Sequence, residues 1–361
     1  MHRLGLALPL LLLAGCDVVL GLDSSAAYPY RKRVRVTAPN DTTLTDFPLA
    51  LIIRDDPELD AIVGDDLAIR TADGADLAFD IDELDLESTS GSDLYAWVRV
   101  PELAPRSVLD LYVYYGARTA DPLPRIAADA WADGYGAVWH FTDYEAGGQR
   151  DRTGNDNVLT PASEAQEART VAGVLGHGLD FDGVDDTLAA PDHPSLDPAA
   201  ASFTYAAWVQ YEATDPQQIW DMPVYKGGAS AGEPGYDFEL GADGWVGNIA
   251  DGQTKVRVDL ATGTLADWHH VVGVLDREAG AYTLYLDGRA QGTTPLTVGT
   301  LATPTPLTLS LLEYPATVFG GTLDELRTFH GVLTADWIAT EYTNLTAPAT
   351  MLEVAPREAL R

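Results

Sequence analysis

The chain has 361 residues, 46% of them hydrophobic, and a formal charge of −33 from 55 acidic and 22 basic residues. That length and apolar content suit packed cores in about two domains and exclude a disordered chain. The charge excludes nucleic acid as a partner, because a phosphate backbone would be repelled; it suits solubility, or acidic loops that hold Ca²⁺. The single cysteine, Cys16, excludes an intrachain disulfide, and the 33 Gly and 22 Pro favour short strands joined by turns.

Residues 1–16 read MHRLGLALPLLLLAGC. Arg3 supplies a positive start, and the apolar run from Leu4 to Leu13 is shorter than the roughly 20 residues of a membrane span. Small residues follow it, as in a secretion signal. The stretch Leu13-Ala14-Gly15-Cys16 resembles the bacterial lipobox. The resemblance implies that residues 1–15 are a lipoprotein signal peptide and that Cys16 is acylated. The protein is then exported and held at the cell envelope by its lipid, in the inner or the outer membrane. Residues 16–27 read as a lipidated tether.

The first folded unit spans 28–118. Arg33-Val34-Arg35-Val36 alternates, as a strand with one buried face does. Leu49 to Ile53 reads as a buried strand, Leu67 to Arg70 and Asp76 to Ile81 alternate again, and Leu94 to Val100 places every second residue on one face. Leu109 to Tyr115 is rich in strand formers and ends at Gly116. This is an antiparallel β-sandwich pattern. Its segments YPYRKRVRV, DFPLAL, GDDLAIRTADG, YAWVRVPEL and LDLYVYYG resemble a bacterial domain family without an assigned role, DUF2341.

Residues 119–130 carry two prolines and read as a linker. The second unit, 131–346, runs through Ala137-Val138-Trp139-His140-Phe141, the Asp151–Asn155 loop, Gly178–Gly183, Phe203–Val209, Trp268–Val274, Tyr282–Gly288 and Gly321–Leu326. A helix is expected from about Thr334 to Tyr342, with Trp337, Ile338 and Tyr342 at helical spacing, and residues 347–361 are left as a C-terminal tail. Strands at this spacing without βαβ alternation argue for an all-β fold. The ordered set of segments resembles the laminin G-like (LamG), concanavalin A-like jelly rolls. The fold class expected is thus all-β: two antiparallel β-sandwiches, the second a jelly roll of that type.

That second resemblance implies a lectin-like binding domain, with carbohydrate or a surface partner as ligand. Jelly rolls of this kind often carry a structural Ca²⁺, and Asp151 and Asp324 are the positions carried over for it; turn aspartates capping backbone N–H groups are the competing reading. Asp182, Asp185 and Asp186 form a second acidic loop, read as a turn. Trp220, Tyr225, Tyr236 and Trp245 are the aromatics placed to stack on a sugar, or else to fill the core.

The chain is not expected to be an enzyme. One motif competes: Glu83-Leu84-Asp85-Leu86-Glu87 would set three carboxylates on one face of a strand, and laminarinase-type glycoside hydrolases carry such a motif on a jelly roll. By that resemblance Glu83 is nucleophile, Asp85 helper and Glu87 acid/base. The motif lies, however, in the first unit, which is too short for that hydrolase fold. His269 and His270 open a strand and alternate to opposite faces, a core-edge arrangement. A structural or protein-interaction role in the cell envelope is the remaining alternative.

Overall fold

The computed structural model describes residues 28–360 except 64–65, 88–89, 118–126, 132, 143, 146, 213–219, 242–243, 261–264 and 312–317. The signal segment, Cys16, the tether and most of the linker lie outside the described residues. Among the described residues no helix is long and apolar enough to cross a membrane.

The first unit is built from β1 (Tyr30–Thr37), β2 (Leu44–Asp56), β3 (Ala68–Thr71), β4 (Asp76–Leu77), β5 (Phe79–Asp85), β6 (Ser92–Leu103) and β7 (Val108–Tyr115). They form two antiparallel sheets, one containing β1-β7-β3-β4 and one ordered β2-β6-β5. Val34 and Val36 of β1 are buried and Arg33 and Arg35 are not, as the alternation demands. β2 extends well beyond the apolar run that announces it, through Pro48. It tolerates that proline because it is an edge strand, whose outward backbone groups need no ladder partner.

The second unit is a jelly roll of two packed antiparallel sheets. The first contains Arg169–Ala172, His177–Asp182, Gly320–Phe329, Phe203–Tyr211, His269–Asp276, Ala281–Leu286 and Arg289–Pro295 in that spatial order, with Tyr135–Trp139 also paired to Gly320–Phe329. The second runs Thr160–Pro161, Leu188–Ala190, Leu307–Leu309, Val224–Lys226, Gly235–Gly241, Gly244–Ala250, Lys255–Asp259. Between them lie Tyr205, Val209, Val271, Leu275 and Leu323 from one sheet and Tyr236, Phe238, Trp245 and Ile249 from the other. Gly247 faces this core because a Cβ there would stand 2.4 Å from the Tyr282 hydroxyl, which pairs with that of Tyr205 at 2.5 Å.

Helix α1 (Ala335–Thr346) starts at Thr334, whose hydroxyl accepts the Trp337 N–H, and runs one turn past the expected end. It is wedged between the units. Trp337 meets Phe47 of β2 edge-on at 5.2 Å, and Tyr342 stacks on Trp208 at 5.6 Å. Trp208, Val138 and Tyr135 of the jelly roll share one continuous core with β2, β6 and α1. The outer face of the jelly roll's first sheet is therefore covered by the first unit and α1.

The segment read as a tail does not trail away. Leu352–Val354 and Glu358–Ala359 both pair with β1, in the registers Val34↔Val354 and Tyr30↔Ala359. Residues from the far end of the chain thus complete the sheet that the first strand begins.

Candidate functional site

Of the four aromatics singled out from sequence, three are buried: Tyr225, Tyr236 and Trp245. Tyr236 and Trp245 point into the jelly-roll core and offer no stacking face. They lie in strands rather than loops; the glycines at 235, 241, 244 and 247 that suggest turns fit within two paired strands. Trp220 is 42% exposed. Its backbone adopts φ 86°, and its N–H donates to the Leu240 carbonyl at 2.7 Å, which fixes it at the end of the Gly235–Gly241 strand.

Asp151 and Asp324 are buried, and both carboxylates accept hydrogen bonds from their own loops. Asp151 Oδ1 accepts the Val138 and Thr153 N–H groups and the Thr153 hydroxyl, and its Oδ2 accepts the Asn157 N–H and side-chain amide. Asp324 Oδ2 accepts the Val174 and Leu175 N–H groups and Oδ1 that of Glu325. Donor N–H groups aimed at these carboxylate oxygens organise the loops, as turn-capping aspartates do. Asp182 likewise accepts the N–H groups of Val184 and Asp185, building a turn.

The Glu83–Glu87 motif is not gathered into a cleft. Glu83 and Asp85 keep a regular ladder with β6, but the strand ends at Asp85, so Glu87 lies beyond it and does not join them on one strand face. Glu83 pairs with His177 at 3.1 Å, Asp85 accepts the Glu87 N–H at 2.8 Å, and Glu87 is exposed.

Two other clusters stand out. The first lies on the outer face of the jelly roll's second sheet, opposite the face covered by the first unit. The strand Gly235–Gly241 sends Tyr236, Phe238 and Leu240 inward, so Asp237 and Glu239 face outward. Cross-strand pairing sets Thr308, Tyr225, Asp237, Asn248 and Arg257 in one row. The Asn248 amide donates to Asp237 Oδ1 at 2.7 Å. Arg257 pairs with Glu239, binds Asp259 at 2.6 Å, and lies 5.2 Å over the Trp220 ring. Among the described residues, Asp237 Oδ2 and Asn248 Oδ1 are buried with no hydrogen-bond partner. Burial, with the Glu239 charge nearby, holds the Asp237 carboxyl well above the usual carboxylate range. The arrangement is a buried carboxyl and a buried amide, each with one unpartnered oxygen, in a row that leads through Arg257 to an exposed aromatic. Sequence reasoning missed Asp237, Glu239, Asn248 and Arg257; the period-two Asp-x-Glu between Tyr236, Phe238 and Leu240 was the signal available.

The second cluster is buried between the units. Asp80 of β5 receives Arg152 at 2.9 Å, the Trp131 indole N–H at 3.0 Å and His140 Nε2 at 3.4 Å. Burial works against its ionisation, but Arg152 and His140 outweigh it and hold the carboxyl below the usual range. His140 Nδ1 lies 2.9 Å from Glu325 Oε1, and the Trp97 indole N–H donates to the same oxygen at 3.1 Å. Burial opposes a charge on His140, yet Glu325 and Asp80 push it up to about 10. Asp82 is pushed up to about 8, chiefly by burial, with Glu325 and Asp80 adding.

His270 behaves oppositely. It is buried on the outer face of the first sheet, stacked on Trp208 at 4.9 Å, and burial with the Arg327 charge lowers it from 6.5 to about 3. Above pH 6.5 it is neutral whether the chain is folded or not. As pH falls from 6.5 toward 3, only the unfolded chain takes the proton, so the folded state loses stability across that window. Urea unfolding at pH 7 and pH 4.5 is expected to show a drop for the native chain that is smaller in His270→Phe. An equal drop in both would mean that His270 is not the group responsible.

No curated protein matches the chain in sequence. Among solved structures, the binding domain of Paraclostridial Mosquitocidal Protein 1 is similar with a TM-score of 0.50 at 12% identity, covering 59% of this chain and 52% of that one. The Botulinum neurotoxin serotype G binding domain gives 0.47 at 12% over 59% and 51%. The serotype D ligand-binding domain, solved in complex with N-acetylneuraminic acid, gives 0.48 at 9% over 60% and 52%. The chain thus spans about half the length of these structures, and likeness at such identity concerns the fold alone. Residues 182–339 match the laminin G-type family described as the concanavalin A-like lectin/glucanases superfamily.

Proposed function

We propose that the protein is an exported lectin-like lipoprotein, anchored through Cys16, whose jelly roll binds a glycan on the outer row around Asp237 and Asn248. The observation that carries this reading is the pair of unpartnered buried oxygens, Asp237 Oδ2 and Asn248 Oδ1, in the row that leads through Arg257 to exposed Trp220. Buried polar atoms without partners are costly, and vicinal sugar hydroxyls both donate and accept at short spacing. An aromatic rim beside a few polar groups is the usual composition of a sugar-binding face. The family matched over residues 182–339 includes lectins, which is consistent with a binding role.

The test is a glycan and polysaccharide panel probed with the full chain in detergent, with Ca²⁺ and with EDTA. Trp220→Ala and Asn248→Ala are each expected to weaken the binding found by about tenfold or more, about 1.4 kcal/mol. Binding that both variants retain would place the ligand elsewhere. No binding by the native chain would leave a protein partner in the envelope as the reading. For the anchor, Cys16→Ser is expected to move the protein from the membrane to the soluble fraction; a protein that stays at the membrane would overturn lipidation there.

A further inference from the structure

We propose that Asp82, His140 and Glu325 form an interdomain site for a divalent cation of the zinc or manganese type. The three come from β5, from the residue after the Tyr135–Trp139 strand, and from the Gly320–Phe329 strand. They therefore span both folded units. All three are buried, and one ligand atom from each lies within 4.8 Å of the others. His140 Nδ1 and Glu325 Oε1 are 2.9 Å apart. That is close to the separation of two neighbouring ligands on one ion, about 3 Å for bonds of roughly 2.1 Å. Asp82 Oδ1 accepts the Thr142 hydroxyl at 2.5 Å, whereas Asp82 Oδ2, fully buried, has no partner among the described residues. That oxygen is the third ligand.

The surroundings hold the three in place as an outer shell does. Asp80 faces His140 Nε2, the carboxylate–imidazole pairing that fixes a metal-bound ring. Asp80 is itself fixed by Arg152 and Trp131. Glu325 is held by Trp97 and Arg327, and the Trp97 ring lies parallel to the His140 ring at 6.1 Å. Five carboxyls, of Asp80, Asp82, Asp324, Glu325 and Glu341, interact here with only two guanidiniums, of Arg152 and Arg327, and one imidazole. A divalent cation offsets that surplus of negative groups. One imidazole nitrogen with two carboxylates selects a borderline ion over Ca²⁺, which takes oxygen ligands alone.

The full chain is unfolded in guanidinium with EDTA and refolded with Zn²⁺, with Mn²⁺ or with neither. After desalting, metal content and thermal midpoint are measured. One ion per chain and a midpoint raised by several degrees are expected from Zn²⁺ or Mn²⁺, together with a visible absorption band when Co²⁺ is used instead. Asp82→Asn retains the shape and the Thr142 contact and is expected to refold without taking up the ion; Glu325→Gln is the second variant, with the same expectation. A native chain that retains neither ion overturns the proposal, the surplus then being held by protons. Equal retention by a folded variant overturns it as well.

Discussion

Arg327→Ala is expected to lower the unfolding free energy by about 3–5 kcal/mol, the largest single loss in the molecule, because it leaves buried carboxylates without their counter-charge. The guanidinium donates to Glu325 and to Glu341, both at 2.5 Å, and lies 3.9 Å over the Trp97 ring and 4.9 Å over that of Trp131. Glu325 belongs to its own strand, Glu341 to α1 and Trp97 to the first unit, so one side chain ties three separate parts together. Urea unfolding measures the loss. Arg327→Met combined with Glu325→Gln and Glu341→Gln is expected to recover part of it, since removing the whole ionic group costs less than removing one partner. A loss under about 1 kcal/mol would show that the carboxyls simply take up protons.

Asn344→Ala is expected to cost about 2–4 kcal/mol by the same unfolding measurement, since two buried backbone groups lose their partner at once. Asn344 Oδ1 accepts the Ala50 N–H at 2.7 Å and its Nδ2 donates to the Ala50 carbonyl at 3.0 Å. Ala50 lies on the open edge of β2, so the amide of α1 stands in for the strand that is missing there. Asn344→Gln has the same groups on a longer stem and is expected to restore little. A loss as small as that of an exposed helix residue would mean that water replaces the amide.

What the sequence discloses follows from how local each signal is. β1 and β7 are legible because period-two alternation within eight residues is enough to mark a half-buried strand. The Gly235–Gly241 and Gly244–Ala250 strands are not, because their glycines mimic turns and both of their faces are buried, which removes the alternation. Read as turns, these glycines put Tyr236 and Trp245 near loops, whereas both fill the core, the second of the two readings the sequence allows, and the polar row lies on the opposite face of the same strands. The E-x-D-x-E motif misleads for a different reason: the strand stops at Asp85, so its third carboxylate, Glu87, falls outside the strand whose shared face gives the motif meaning. The interdomain cluster has no local signal at all. Asp80 and Asp82 precede that motif, and His140, Glu325 and Arg327 join them from far along the chain, so only the packing of the two units brings them together.

The pairing of β1 with Leu352–Val354 and Glu358–Ala359 bears on the order in which the protein is made. A chain synthesised from its N-terminus carries β1 from early on, yet that strand keeps one edge open until more than 300 further residues have been added. The jelly roll can close while this edge waits, because its own strands lie between. A molecule made only as far as Met351 would therefore display an intact second unit beside an unfinished first sheet, and an open edge invites pairing with another chain. Residues 352–359 act as a seal, set only after every strand of the jelly roll has been made.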